Sequence, residues 1–367
     1  MKISEIEIRL CRHQSGMTGG ELRDGQGSEL EFLVITMKTD EGLSASSFGY
    51  AGRGARPAGE IAATSLKPFF LGRDPLYRER NWQDFRVSDR WWHLVPIYSF
   101  GPFDVACWLL SAQAAGQPLY QYLGAYRDEV PVYASSLVLP EPAAYAEQAL
   151  EVQAAGWAGY KLHPPGDYAF DLEAHRCVRE AVGPDFTLMS DPVAAYTSEQ
   201  ALRMGRELER LDYYWFEEPL ADENFSGLRE LSRALDIPIA GAEVLAKRPY
   251  SVAECLATRV VDIVRADVSW GGGVTGAMKT AHLADAFGVQ CEIHTAIYHP
   301  LELVNLHCAA ALRNSEFFEL LWPTDYFDFG LGTPLVIENG KAQLPQGPGL
   351  GAELDWDLIE EATFDVL

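Results

Sequence analysis

The chain is short of positive charge, of paired cysteines and of long apolar runs. Over 367 residues, 29 Lys and Arg stand against 53 Asp and Glu, a formal net charge of -24. A field of that sign repels a polyanion, which argues against nucleic acid as a partner. An anionic small molecule would need positive charge placed locally, by a metal or by Lys and Arg in its site. Six cysteines (Cys11, Cys107, Cys177, Cys255, Cys291, Cys308) are scattered, and no two form a Cys-x-x-Cys pair. That spacing argues against a zinc site or a disulfide framework, and for packed, reduced thiols in a cytoplasm. No stretch reaches the roughly 18 uninterrupted apolar residues of a membrane helix. Met1–Leu10 alternates apolar with charged residues, as a strand does, and lacks the apolar core of a signal peptide.

What the chain has is alternation. Hydrophobic residues make up 48% of it, enough at this length for one large core or two moderate ones. Up to about Gly124 strands are followed by helices. Met1–Leu10 and Glu29–Thr39 look like strands of a meander, and the polar, glycine-rich stretch Gly16–Gly27 between them suits a mobile loop. Ser99–Leu123 has helical apolar spacing, with Pro118 placed to start a new short helix. From Val130, short apolar runs recur at Val130–Ser136, Ala158–Leu162, Phe186–Met189, Tyr213–Phe216, Ile237–Ala240, Val261–Ala266, Val289–Ile293 and Phe317–Leu321. Amphipathic segments such as Ala143–Ala155, Ser198–Glu209, Gly227–Ala234 and Gly276–Phe287 lie between them. Eight strands alternating with helices predict a parallel sheet, and eight is the number that closes into a (β/α) barrel. The turn-rich remainder from about Pro323 has too little pattern for a unit of its own, and is expected to fold back onto the N-terminal part.

A polar residue stands at the end of each later run: Asp191, Glu217, Glu243, Asp267, His294 and Glu319. Their spacings, by subtraction, are 26, 26, 24, 27 and 25. One strand-plus-helix unit of a barrel takes about that many residues, so the six are expected together at the C-terminal mouth, where barrel active sites lie. Any one acid alone would pass as a surface charge or a favourable charge at a helix N-terminus. Even spacing is not expected of scattered surface charge. Asp191, Glu217 and Glu243 on adjacent strands would repel one another unless a cation neutralises them, and oxygen ligands without thiolates favour Mg²⁺ or Mn²⁺. Glu217 is chosen over its neighbour Glu218 because it keeps the register and successive strand residues face opposite ways. Glu218 would then support it from behind.

Lys161 and His163 are two apart on a strand and share a face. Two adjacent basic groups are expected to lower each other's proton affinity toward the range of a general base. Their structural alternative is a lysine neutralising the barrel's acids beside a packed histidine. Asp267 and His294 end neighbouring strands, and an Asp that orients a His is a common acid/base unit. A metal with a base on each side fits abstraction of the weakly acidic proton beside a carboxylate.

These residues and their order resemble the enolase superfamily and, within it, the mandelate racemase-like subgroup of acid-sugar dehydratase type. The resemblance spans nearly the whole chain, including the Asp104 helix, which is similar to the family's end-of-cap segment. Its motifs are Lys161-x-His163, Glu217-Glu218-Pro219, Gly241-Ala242-Glu243, Asp267 ahead of Gly272-Gly273-Val274-Thr275-Gly276, then His294 and Glu319. It implies a modified (β/α)8 TIM-type barrel of (β/α)7β form over 126–322. It also implies an N-terminal α+β capping domain over 1–125, completed by a returning segment over 323–367. Mg²⁺ is implied on Asp191, Glu217 and Glu243, with an Asp267–His294 dyad and Glu319 near the substrate carboxylate. As a hydrogen-bond donor Glu319 would have to be protonated; an ion pair is the competing reading. The loop Gly16–Gly27 would close over the substrate, and a homo-oligomer is expected. The family usually has Lys-x-Lys where His163 stands here. Either His163 is the base with Lys161 as its charge partner, or His294 takes the proton and His163 only binds substrate.

Gly271, Gly273 and Gly276 form a Gly-x-Gly-x-x-Gly, better explained by a helix start than by a dinucleotide site. Trp91-Trp92 fits buried aromatics better than a sugar platform, and His299 and His307 lie in a helical stretch. The favoured expectation is a Mg²⁺-dependent dehydratase of an aldonate or aldarate, giving a 2-keto-3-deoxy acid. A racemase, epimerase or lactone cycloisomerase would use the same site, and a non-catalytic acid-binding protein is the third reading. The partner expected is a small-molecule carboxylate, with no nucleic acid and no membrane.

Overall fold

A computed structural model describes residues 1–17, 29–52, 54–92, 95–245 and 249–367. Residues 18–27 of the expected loop, and the side chains of Trp91 and Trp92, lie outside the described residues.

Three antiparallel strands open the chain: β1 (Ile3–Gln14), β2 (Glu29–Thr39) and β3 (Ser44–Gly52). β2 is buried along nearly its whole length. Phe32 of β2 stacks on Phe48 of β3 with ring centroids 4.8 Å apart, and its ring centroid lies 5.7 Å from that of Tyr298. β3 has no apolar run to announce it, because small residues fill it. They let the helix Ile97–Ala114 lie close: a Cβ on Gly49 would come within 2.6 Å of the Pro102 ring.

The barrel comprises β4 (Glu129–Ser136), β5 (Gly159–Leu162), β6 (Thr187–Ser190), β7 (Trp215–Glu217), β8 (Ile239–Gly241), β9 (Ile263–Ala266), β10 (Gln290–Ile293) and β11 (Phe318–Trp322). Each pairs in parallel with the next, and β11 pairs back onto β4 to close the ring. Seven helices among the described residues join the eight strands, which makes this a (β/α)7β barrel. Several expected runs start one or two residues before the paired strand. Tyr213, Ile237, Val261 and Phe317 are buried although outside it, since hydropathy reports burial and not backbone pairing.

The C-terminal segment divides its contacts. β14 (Thr363–Val366) pairs antiparallel with β1, so the chain does return to its start. On the way, β12 (Ile337–Glu338) and β13 (Lys341–Gln343) form a hairpin that extends the barrel sheet beside residues 129–131 of β4.

Inward side chains stack in layers, as in other barrels of this size. Tyr133, Met189, Trp215, Ala240, Ile263 and Phe317 form an apolar plug, with the Tyr133 and Trp215 rings edge-on at 5.6 Å. Two residues further along their strands come Glu217, Arg265 and Glu319, so the layer above the plug is charged.

The helix Ile97–Ala114 ties the first sheet to the barrel mouth. Asp104 accepts hydrogen bonds from the Thr275 amide (2.8 Å) and hydroxyl (2.6 Å), capping the helix Gly273–Ala286. Gly273 has φ 86°, and a Cβ there would lie 2.5 Å from the Asp104 carboxylate. The glycine triplet is thus a helix start, as its position after the sixth barrel strand suggested.

Candidate active site

Four fully buried charges occupy one layer, contributed by the alternate strands β5, β7, β9 and β11: Lys161, Glu217, Arg265 and Glu319. Lys161 Nζ lies 3.0 Å from Glu217, 2.8 Å from Glu319 and 3.5 Å from Asp191. Arg265 Nε is 2.7 Å from Glu217 Oε1, and its Nη2 donates to Glu319 and, at 3.1 Å, to the Tyr133 hydroxyl. Burial alone would lower the proton affinity of Lys161, but Glu217 and Glu319 outweigh it and hold it well above the ordinary lysine value. The expected mutual lowering of Lys161 and His163 is therefore reversed for Lys161: carboxylates, not the histidine, are its closest charged neighbours. Burial would raise Glu319, yet Lys161 and Arg265 hold it well below the usual carboxylate range. The ion-pair reading of Glu319 is the one these contacts favour.

Above this layer sit the remaining acids and both histidines. His163 Nε2 is 3.0 Å from Asp191 Oδ2, and its Nδ1 is 2.6 Å from the Ser136 carbonyl. The Ser135 hydroxyl also approaches Nδ1, at 3.3 Å. Asp191 Oδ1 accepts from the Val193 amide at 2.8 Å. His294 follows β10; its Nε2 is 3.1 Å from Glu243 and its Nδ1 3.8 Å from Asp267 Oδ2. The Asp–His pair is thus adjacent but longer than a hydrogen bond. Asp267 Oδ1 accepts from the amides of Ser269 (2.5 Å) and Trp270 (2.7 Å), which holds its carboxylate at the strand end. Burial pushes His294 well below the ordinary histidine value, so its ring is neutral in this environment.

The six ladder residues are placed by successive strands, all buried. Glu319 differs in detail: it is the second residue of β11, which runs on beside β4, and not the residue that closes the strand. Glu218 leaves the strand with φ 38° and its carboxylate accepts the Glu243 amide at 3.3 Å, a supporting position. Sequence reasoning missed Arg265, hidden inside the run Val261–Ala266. The signal was available: Arg265 precedes Asp267 by two, as Lys161 precedes His163, and residues two apart on a strand share a face. Asn305 was also missed. It accepts the Val268 amide (3.1 Å) and donates to the His294 carbonyl (2.8 Å), linking the backbones beside Asp267 and His294. His299 and His307 are packed inside the helix His299–Ala311.

A groove of about 920 Å³ lies elsewhere, on the C-terminal segment. Its lining carries Glu338 and Glu353 but no histidine, lysine or arginine.

Six buried carboxylates (Asp191, Glu217, Glu218, Glu243, Asp267, Glu319) share that mouth with two buried cations, Lys161 and Arg265. Glu218 and Glu243 are held well above the usual carboxylate range, first by burial and then by neighbouring carboxylates. As the side chains stand, no three of His, Cys, Asp or Glu among the described residues are gathered to hold an ion. Asp191 and Glu217 face Lys161, and Glu243 faces His294. The donor set is nonetheless all oxygen and carries excess negative charge, the chemistry that suits a hard dication.

The sequence pattern of the family described as "Enolase C-terminal domain-like" matches residues 144–358, more than half of the chain. The chain belongs to the enolase superfamily. Within it, the mandelate racemase-like, acid-sugar subgroup holds its relatives. Arabinonate dehydratase of Saccharolobus solfataricus is 32% identical over 304 residues, covering 81% of each chain. The 3,6-anhydro-alpha-L-galactonate cycloisomerase of Streptomyces coelicolor is 27% identical over 349 residues, covering 91% of this chain and 92% of the relative. D-glucarate dehydratase from Agrobacterium tumefaciens, complexed with magnesium, superimposes with a TM-score of 0.89 at 32% identity, over 100% of both chains. The superfamily membership and the buried charge cluster make this chain an enzyme. No helix among the described residues is long and apolar enough to cross a membrane.

Proposed function

We propose that this superfamily member is a Mg²⁺-dependent dehydratase of a sugar acid, an aldonate or aldarate. It would remove the proton beside the carboxylate and eliminate the neighbouring hydroxyl to leave a 2-keto-3-deoxy acid. The observation that carries the reading is a buried His294 at the edge of the acid cluster, its Nε2 3.1 Å from Glu243 and Asp267 behind its Nδ1. The relatives named as an arabinonate dehydratase and a D-glucarate dehydratase support the substrate class.

Asp191, Glu217 and Glu243 are the residues that would hold the metal. When bound, Mg²⁺ supplies counter-charge for the carboxylate oxygens as the adjacent C–H bond breaks. Lys161, held cationic by its carboxylates, binds negative charge and is not the base. His163, 3.0 Å from Asp191, orients that carboxylate. His294 has a lone pair to take the C2 proton, and Asp267 steadies the imidazolium that results. The same proton then passes to the C3 hydroxyl, the C3–O bond breaks and water leaves. The enol that remains tautomerises to the ketone.

The experiment is incubation of the purified protein with a library of sugar acids and Mg²⁺, assayed for 2-keto acids. Silence across the library would sink the dehydratase reading. One observation favours a second outcome of the same site: His163 follows β5 and His294 follows β10, three strands apart around the closed ring, so basic groups flank the mouth on two sides. That arrangement suits a racemase, epimerase or cycloisomerase, and one relative bears such a name. Proton NMR in D₂O separates them, since solvent deuterium in recovered epimer without keto product means isomerisation.

A further inference from the structure

We infer that Arg265 is a positioning residue that orients the carboxylates of Glu217 and Glu319 beneath the reacting centre. The inference rests on the reading of Glu217 as a metal ligand. Barrel layers are usually filled by bulky apolar side chains. Here the layer above the Tyr133–Trp215–Phe317 plug is a closed ring of alternating charge. Lys161 touches Glu217, Glu217 touches Arg265, Arg265 touches Glu319, and Glu319 touches Lys161. All four side chains are without solvent exposure.

The division of oxygens gives Arg265 its role. Lys161 grips Glu217 Oε2 (3.0 Å) and Glu319 Oε1 (2.8 Å). Arg265 takes the other oxygen of each, Glu217 Oε1 at 2.7 Å and Glu319 Oε2. Ion pairs to both oxygens from cations on two different strands restrain a carboxylate's rotation about its terminal bond and set the orientation from which it would reach an ion. From the layer below, the Trp215 indole donates to Glu217 Oε2 at 2.9 Å. The Tyr133 hydroxyl accepts from the guanidinium at 3.1 Å, which fixes the fork itself. An ammonium is a compact point charge, whereas a planar guanidinium spans two carboxylates with separate N–H groups. Arg265 therefore does what a second lysine could not. Stability alone does not call for this ring, because a well-packed apolar layer in its place is commonly as stable or more so.

The test uses the full chain and Mg²⁺ as the probe. Arg265→Lys keeps the charge and removes the fork. Arg265→Gln combined with Glu319→Gln removes one charge of each sign and keeps the layer neutral. Calorimetric titration with Mg²⁺ is the readout, with circular dichroism and melting temperature measured alongside. Groups that orient metal ligands from behind typically change metal affinity by about 10–100-fold, and a loss in that range is expected for both variants with secondary structure retained. Affinities indistinguishable from the wild type, with only the melting temperature lowered, would make Arg265 a packing residue and overturn the inference. Failure of both variants to fold would do the same, by making its first role structural. A wild-type chain that takes up no Mg²⁺ would instead sink the metal reading on which the inference stands.

Discussion

Removal of Lys161 is the perturbation whose size follows most directly from the structure. Its ammonium has carboxylate oxygens at 2.8, 3.0 and 3.5 Å, and neither it nor its partners are exposed enough for solvent to screen them. In Lys161→Met, Arg265 alone would face Glu217 and Glu319, leaving one uncompensated buried charge. Breaking a buried pair in this way costs about 3–5 kcal/mol. At about 2.1 cal/mol/K of unfolding entropy per residue over this chain, the melting temperature would fall by about 4–6 °C. Glu319→Gln breaks the ring at the neighbouring position, removing a charge of the other sign, at a comparable cost. The double variant keeps Arg265 paired with Glu217, so its loss should be smaller than the sum of the singles by about 1–3 kcal/mol. Urea unfolding followed by tryptophan fluorescence measures all three. Losses that add to within about 0.5 kcal/mol would refute the coupled ring.

Glu217→Gln should abolish the thermal stabilisation that Mg²⁺ gives the wild type, about 2.7 kcal/mol at a hundredfold excess over Kd; differential scanning calorimetry with and without the ion checks it. His175 is fully buried, and burial holds it at about 4 against an ordinary 6.5. Its neutral form belongs to the folded state, so stability present above 6.5 is lost as pH falls toward 4, at about 1.4 kcal/mol per pH unit. His175→Gln should flatten the acid side of the stability curve by that slope, as urea titrations at several pH values would show. Asp104→Ala leaves the Thr275 amide and hydroxyl without their acceptor and should cost about 1–3 kcal/mol in the same unfolding assay. His294→Asn should end formation of 2-keto acid, as the sugar-acid assay would show, with the far-ultraviolet circular dichroism unchanged.

Much of the barrel was legible because parallel strands and their helices repeat at a nearly constant length. That repeat carries Asp191, Glu217, Glu243, Asp267 and His294 to one rim, and a polar residue after an apolar run marks each step. The features that escaped have physical reasons. Arg265 stands where hydropathy shows only a buried run, and a cation enters such a layer only because Glu217 and Glu319 arrive from strands far away in sequence. The sign of the Lys161 shift was misread for the same cause: the adjacent His163 is visible in the string, whereas the carboxylates that raise it are 56 and 158 positions on. β3 lacked a pattern because its small residues serve the approach of Pro102. The β12–β13 hairpin was unreadable, since two short strands gain their stability from β4 and not from their own composition.

The most direct test of the account is a crystal structure grown with Mn²⁺ as an anomalous stand-in for Mg²⁺. The account predicts a single ion at the barrel mouth bound by oxygens of Asp191, Glu217 and Glu243, with His294 beside it. An ion bound elsewhere would contradict the account. So would a saturated crystal in which those three acids still face Lys161, His163 and His294 with no ion among them.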